Sequence, residues 1–435
     1  MGLLRRQLLR TRRSVRRTRP IHGAVLPGFE EVHEEFERNF AERGEIGAAV
    51  AAYWHGKKVV DLWGGQRQPD SDAPWNANTM VVVASTTKGL ASMTLAVANA
   101  RGWLDYDVPV ARYWPEFAQN GKSAITVRQL LAHEAGLVLL DEELTIDKMR
   151  DLDSVARILA RQKPAWTPGS CHGYHAMTLG LYAQEIIRRA DPSHRTLGEF
   201  FREEIAERLH LDFYIGLPPE IPSERLAVLK KMSRMRGLGA VFTTPPAILS
   251  KMLMPGSFLR RSLIFPNLDF NDRRSLEVEI PAGNGVGTAR AIARAYSVFA
   301  EGGEQLGITR DTFEDLTALP SRAHPRDEVI GVPSYFTLGF LRPGPEITFG
   351  SSERAFGAPG AGGSFAFADP DAHLGYAYVM NKMNFYLTDD PREKSLRDAI
   401  YRSIARLRER PIASRLILSS AGLSPTHGGT LAGRL

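Results

Sequence analysis

Four short segments carry residue types whose spacing could support nucleophilic chemistry. In the first, the apolar run Val81-Val82-Val83-Ala84 stops at Ser85-Thr86-Thr87-Lys88, where a helix is expected to begin. Residues three apart share one helical face, so the Ser85 hydroxyl and the Lys88 amine would stand side by side. A serine becomes a nucleophile beside a base, and a lysine can be that base once desolvation lowers its pKa well below about 10.4. A helix start also places backbone N–H groups near the serine, where they can hold an oxyanion. Taken alone, the same four residues also fit an N-cap serine and a solvated lysine.

The other three segments supply the context. About forty residues on comes Ile125-Thr126-Val127-Arg128-Gln129-Leu130-Leu131-Ala132-His133-Glu134-Ala135-Gly136-Leu137. Next is Pro168-Gly169-Ser170-Cys171-His172-Gly173-Tyr174-His175-Ala176, a turn that presents a tyrosine just before a helix. Far downstream stands Gly357-Ala358-Pro359-Gly360-Ala361-Gly362-Gly363-Ser364-Phe365-Ala366-Phe367-Ala368-Asp369-Pro370, a glycine-rich entry to a strand. In this order and spacing the four resemble the serine β-lactamase and penicillin-binding protein superfamily of the class C kind. Within it they are most similar to the family VIII carboxylesterases, over roughly residues 25–410.

That resemblance implies a set of roles. Ser85 would be the acylated nucleophile and Lys88 its base partner. Tyr174, in the place of the family's Tyr-x-Asn tyrosine, would pass the proton to the leaving alcohol and later activate water. Neutral Lys88 or a Tyr174 tyrosinate could be the base, because such close groups titrate as one unit. The oxyanion hole would use the backbone N–H groups of Ser85 and Ala361. Gly360 and Gly362 would let the backbone approach the bound acyl group, and His175 would line the pocket beside Tyr174. Two departures bear on substrate. The family's Asn is Ala176 here, and its Lys-Thr-Gly or His-Thr-Gly element aligns with Ala358-Pro359-Gly360. Neither alanine nor proline can donate a side-chain hydrogen bond or a charge, so an anionic β-lactam or a D-Ala-D-Ala end loses its holders. A neutral, apolar ester loses little.

Several residues read as bland. Ser364 sits in a degenerate Gly-x-Ser-x-Gly, but a strand follows it where a nucleophile elbow needs a helix, so it is expected to be structural. Cys171 is an ordinary loop thiol. His172 and His175 lack further ligands, so no metal is expected, and no cofactor. His133, Asn284-Gly285 and Asn381 match backbone-bracing positions of the superfamily. Trp166 and Tyr335 suit either an acyl-pocket wall or the core.

The elements that must position these residues follow from periodicity. Strand-like runs at 46–54 and 58–63 flank the turn His55-Gly56, a hairpin signal. Further strands are expected at 336–341, 364–368 and 374–380, with Asp369-Pro370-Asp371 turning between the last two. Helical patterns cover 29–43, 87–101, 127–133, 177–189, 197–209, 288–300 and 393–408. Strands at both ends around a helical middle imply an α/β plus α chain of the β-lactamase/transpeptidase-like fold, an antiparallel sheet flanked by helices with a helical insertion. The expected division is a basic disordered leader over 1–24, a sheet domain from 25–84 and 325–410, a mainly helical domain over 85–324, and a loose tail over 411–435.

Composition sets the outer bounds. The chain has 435 residues, 43% of them hydrophobic, with one cysteine and a formal net charge of +6. Such a chain can bury a core and is neither disordered nor a disulfide scaffold. Residues 1–20 hold eight arginines and no acid, which leaves the rest of the chain near −2. The basicity therefore belongs to the leader, and nucleic acid is not expected as a partner. No apolar run is long enough for a membrane span, and the leader lacks the apolar stretch of a secretory signal, so a cytoplasmic location is expected. The function expected is a cofactor-free serine carboxylesterase cleaving small neutral esters through an acyl-enzyme on Ser85. The alternatives are a β-lactamase or D-aminoacyl peptidase, or an acyltransferase using an alcohol acceptor.

Overall fold

The computed structural model describes residues 20–231, 244–263, 268–319, 325–384, 386 and 389–409. Most of the expected leader and the whole tail from 411 lie outside the described residues. Among the described residues eleven strands are formed: β1 (Ile21–Val25), β2 (Gly47–Trp54), β3 (Lys57–Gly65), β4 (Val81–Val82), β5 (Phe213–Tyr214), β6 (Val286–Gly287), β7 (Phe336–Thr337), β8 (Phe340–Leu341), β9 (Phe356–Pro359), β10 (Phe365–Asp369) and β11 (Leu374–Met380). Six helices matter for the argument: α1 (Glu30–Ala41), α2 (Thr87–Ala100), α3 (Val127–Leu131), α4 (Thr178–Ala190), α5 (Ala289–Ala300) and α6 (Pro391–Glu409).

The main sheet is antiparallel in the order β1-β3-β2-β11-β10-β9-β8-β7, so strands from the two ends of the chain meet at the β2–β11 pair. Alternation decides its two faces. Trp54, Phe365, Phe367, Tyr376 and Tyr378 point to one side, into a core closed by Phe29, Val32 and Phe36 near α1 and by Leu396, Ile400 and Ile404 of α6. The neighbours between them, Ala51, Ala366, Ala368 and Ala377, point to the other side. Gly375 on that face would drive any Cβ into the α5 backbone at Ser297, so the small residues let α5 lie close against the sheet. Helix α2 is buried on every side from Thr87 to Ala98, which makes it the central helix of the second layer.

The hairpin β2–β3, strands β10 and β11, and helices α1, α2 and α6 lie within a few residues of their expected places. Three expectations need correction. The leader was to run to residue 24, yet β1 begins at Ile21 and pairs with β3 through Ile21↔Gly64 to Val25↔Val60. This edge strand exposes its middle three residues and so shows no apolar run. The single strand at 336–341 is instead a hairpin, because Leu338 and Gly339 both take positive φ (49° and 85°) and reverse the chain. Strand β9 forms where only a glycine-rich approach was read.

A buried ionic knot ties the two ends of the sheet domain together. The Arg392 guanidinium meets Glu45 at 3.1 Å and Asp390 at 2.7 Å, and donates to the carbonyls of Lys382 and Gly362. The Tyr378 hydroxyl also donates to Glu45. Burial pushes the Glu45 carboxyl up, and Arg392 works against that rise. Arg392→Ala is therefore expected to cost about 3–5 kcal/mol in a urea unfolding experiment, by stranding a buried carboxylate. The double variant Glu45→Gln/Arg392→Met should lose less than Arg392→Ala alone.

Candidate active site

The Ser85 segment is built around a strained turn. Strand β4 aims the chain at Val83, and Ala84 then adopts φ +46°, in the left-handed region that costs a non-glycine residue. A short 3₁₀ turn, Ala84–Thr86, leads directly into α2. Hydrogen bonds from both sides hold this turn. Val83 N–H donates to Gly285 O at 3.0 Å, and the Thr87 hydroxyl donates to Ala84 O at 2.6 Å. From the sheet side, Ser364 donates its hydroxyl to Val83 O at 2.8 Å and accepts one from Thr86 at 3.1 Å. Between Thr79 and Ala98 every residue but Ser85 is buried. The turn thus exposes one hydroxyl on an otherwise closed segment.

Lys88 lies one helical step from Ser85 and is 4% exposed. Its Nζ is 3.0 Å from Ser85 Oγ, 2.6 Å from Ala176 O and 2.9 Å from Ala282 O. Among the described residues it has no carboxylate partner. Burial pushes the amine below its ordinary value, while the charge and hydroxyl of Tyr174 pull it back up. The neutral amine has two hydrogens and one lone pair. Two of the three neighbours are carbonyls and can only accept, so those hydrogens are taken and the lone pair is left for the Ser85 hydroxyl.

Tyr174 comes to the same place, its ring centre 5.0 Å from Lys88 Nζ. Its loop is pinned at four successive residues. Gly173 N–H donates to His133 O, Tyr174 N–H to Asp327 Oδ2, and His175 N–H to His133 Nδ1, while Ala176 O accepts from Lys88. The Tyr174 ring stacks on Phe336 and tilts against His133. Because Nδ1 of His133 accepts, its proton sits on Nε2, and burial holds the ring neutral with a pKa well below the usual one.

The structure brings Ser85, Lys88 and Tyr174 together, but not every residue expected beside them. His175 is fully buried, with its pKa pushed by burial to about 4. Its Nε2 accepts the Leu137 N–H and its Nδ1 lies 2.7 Å from Gly173 O, so neither nitrogen is left for a substrate. It braces the loop and does not line the pocket. Gly362 likewise faces Met380 and Met383 at φ +96°, with its carbonyl spent on Asn384 and Arg392. It shapes a turn. Gly360 does reach the Ser85 segment, since a Cβ there would collide with Val83 O and with the Ser364 and Thr86 hydroxyls. Next to it, Ala361 N–H has no acceptor among the described residues, and the same holds for Ser85 N–H. Ala358 is buried, with its methyl 3.3 Å from where a Cβ on Gly89 would stand, one residue past Lys88.

With this geometry in view, comparison with known proteins is decisive about kinship. A family model described as Beta-lactamase matches residues 34–399. The chain belongs to the beta-lactamase family. It is 35% identical to the esterase/beta-lactamase LipL of Mycobacterium tuberculosis over 375 residues, 84% of each chain. Two solved structures superpose at a TM-score of 0.76, each over 88% of this chain and 100% of its own. One is a penicillin-binding protein homologue from Caulobacter crescentus, 38% identical, and the other a family VIII carboxylesterase, 35% identical. The antiparallel sheet flanked by helices is thus the fold of this beta-lactamase-family member.

Asp327 is the residue that sequence reasoning missed. Fully buried, it accepts from the N–H groups of Tyr174 (3.0 Å), Val329 (2.8 Å) and Ile330 (2.8 Å), and from the Ser334 hydroxyl (3.1 Å). Burial pushes its carboxyl up, and those amides and His172 oppose the rise. No motif surrounds it, so nothing in the sequence singles it out. Among the described residues, the cluster able to hold a metal ion is His55 at the β2–β3 turn, His373 at the β10–β11 turn and Glu301 at the end of α5, not beside Ser85. Asp327→Ala would leave three amides without their acceptor. It is expected to lower stability by about 2–4 kcal/mol, read from thermal or urea unfolding.

Proposed function

We propose that this protein is a serine carboxylesterase that cleaves small neutral esters through an acyl-enzyme on Ser85. The observation that carries the reading is the amine of Lys88, buried with no carboxylate partner among the described residues and 3.0 Å from the Ser85 hydroxyl, to which its neutral form can turn a lone pair. Lys88 takes the serine proton as Oγ attacks the ester carbonyl. The free N–H groups of Ser85 and Ala361 hold the negative charge that develops on the carbonyl oxygen. Tyr174, coupled to Lys88, delivers that proton to the departing alkoxide. In the second half-reaction it passes a proton from the attacking water to Lys88, and that proton returns to Ser85 Oγ as the acid departs. An alcohol in place of water would make the same step an acyl transfer.

Ester selectivity follows from what the site lacks. Ala176 contributes only its carbonyl, already given to Lys88, and Ala358 buries a methyl against α2. Neither can hold the amide or carboxylate of a β-lactam. The name of the family VIII carboxylesterase structure accords with this preference, whereas LipL is named both esterase and beta-lactamase.

Intact-mass analysis with a fluorophosphonate, run alongside p-nitrophenyl butyrate hydrolysis, tests the nucleophile. One adduct and steady turnover are expected for the wild type. Ser85→Ala should take no adduct and lose roughly 10⁴-fold or more in kcat. Turnover that survives in Ser85→Ala would overturn the assignment, and nitrocefin hydrolysis as fast as ester hydrolysis would overturn the selectivity.

The pH dependence has a definite sign. The amine must be neutral to act, and the neutral fraction grows as pH rises through its lowered pKa. Thus kcat/KM should rise along an acid limb placed below the ordinary lysine range. Lys88→Arg keeps a charge that cannot be shed, so it should cost roughly 10²–10⁴-fold and remove the limb.

A further inference from the structure

Two short helices, Pro246–Leu253 and Phe258–Ser262, cover the Tyr174 side of the site. Their inner residues Ile248 and Leu259 are buried with Val329 and Val332, and Trp166 and Tyr174 pack against that cluster. Their outer surface is unlike the rest of the protein. Among the described residues, the exposed large hydrophobics are Val228, Met252, Leu253, Met254, Leu263 and Leu319. Four of these six fall within residues 252–263, and Leu253, Met254 and Leu263 are each more than half exposed. Scattered apolar residues are normal on a surface, but a contiguous group marks a contact.

The charge around the group says what kind of contact. Lys251, Arg260 and Arg261 lie within it, and among the described residues none has a carboxylate partner. Arg260 donates to Leu253 O, and Lys251 Nζ to the carbonyl of Glu328, not to its carboxylate. The described residues 244–263 hold these three cations and no Asp or Glu. A second copy of this face would repel the first. A surface both apolar and anionic complements it.

We propose that the face formed by residues 251–263 docks on an anionic lipid surface, beside the entrance to Ser85, and takes ester chains from the lipid phase. Docking stands on the surface alone; the uptake of ester chains rests on the carboxylesterase reading. Lysine and arginine pair with lipid phosphates while Met252, Leu253, Met254 and Leu263 enter the acyl boundary. The inner side of the same helices keeps its place over Tyr174.

The test is cosedimentation of the full-length protein with vesicles of phosphatidylcholine alone or mixed equally with phosphatidylglycerol, at physiological salt. The wild type should bind the mixed vesicles and not the neutral ones. Leu253→Ser/Met254→Ser/Leu263→Ser should bind at least tenfold more weakly, with an unchanged unfolding midpoint and p-nitrophenyl acetate turnover within twofold. Arg260→Gln/Arg261→Gln should bind severalfold more weakly. Ser85→Ala should bind as the wild type does, so docking is read even if the esterase reading fails. Because residues 1–20 are also basic, a variant with those eight arginines changed to glutamine is run in parallel. The proposal is overturned if the triple-serine variant binds like the wild type, whatever the leader variant does. It is equally overturned if the wild type ignores mixed vesicles, or if the triple substitution merely converts a dimer to a monomer.

Discussion

A lysine amine taken out of water, with no carboxylate among the described residues to balance it, is the constraint around which this molecule is arranged. A buried ammonium without a counter-charge is costly, and the usual relief is loss of the proton. Lys88 is in that position, and the three atoms around its Nζ come from widely separated parts of the chain. Ser85 lies on its own helix, Ala176 ends the tyrosine loop, and Ala282 precedes β6. Holding three such oxygens within 3.0 Å of one nitrogen requires each segment to be rigid. The other unusual features serve that end: the strained Ala84, the Ser364 clamp on Val83, and the Asp327 carboxylate under Tyr174.

How much of this was legible depends on whether the cause lies in side-chain pattern or in backbone. The β2–β3 hairpin, β10 and β11 read clearly because alternation sorts large residues to one face and alanines to the other. Helix α2 read clearly as a long run rich in Ala, Leu and Met with no proline. Strand β1 did not, because an exposed edge strand hides its hydrogen bonds behind polar and small residues. The β7–β8 turn was missed because Leu338 gives no hint of a positive φ. At the site, Ser85 and Lys88 were legible as neighbours on one helical face. The carbonyls that complete the lysine's surroundings belong to Ala176 and Ala282, and a carbonyl has no residue signature. His175 was placed in the pocket because sequence shows its neighbour Tyr174 but not the two backbone groups that occupy its ring.

The loop after β9 shows how a catalytic fold and a stable core share one set of interactions. Gly360 lets the backbone press against the Ser85 turn, and Gly362 and Gly363 turn the chain beyond it at φ +96° and +119°, but none of them brings a side chain to hold the loop there. The holding comes from elsewhere. Gly360 N–H donates to Ser364 O, while Gly362 O accepts from both Asn384 N–H and Arg392. A hydrophobic core at Arg392 would be at least as stable in principle, since buried ion pairs rarely outperform well-packed apolar groups. It would leave the carbonyls of Gly362 and Lys382 without donors. A guanidinium offers five N–H groups in a fixed plane, enough to satisfy two carboxylates and two carbonyls at once. The ionic knot that joins the two ends of the sheet domain therefore also fixes the loop bearing the Ala361 N–H. Stability of the sheet and placement of that donor are not separable properties of this chain.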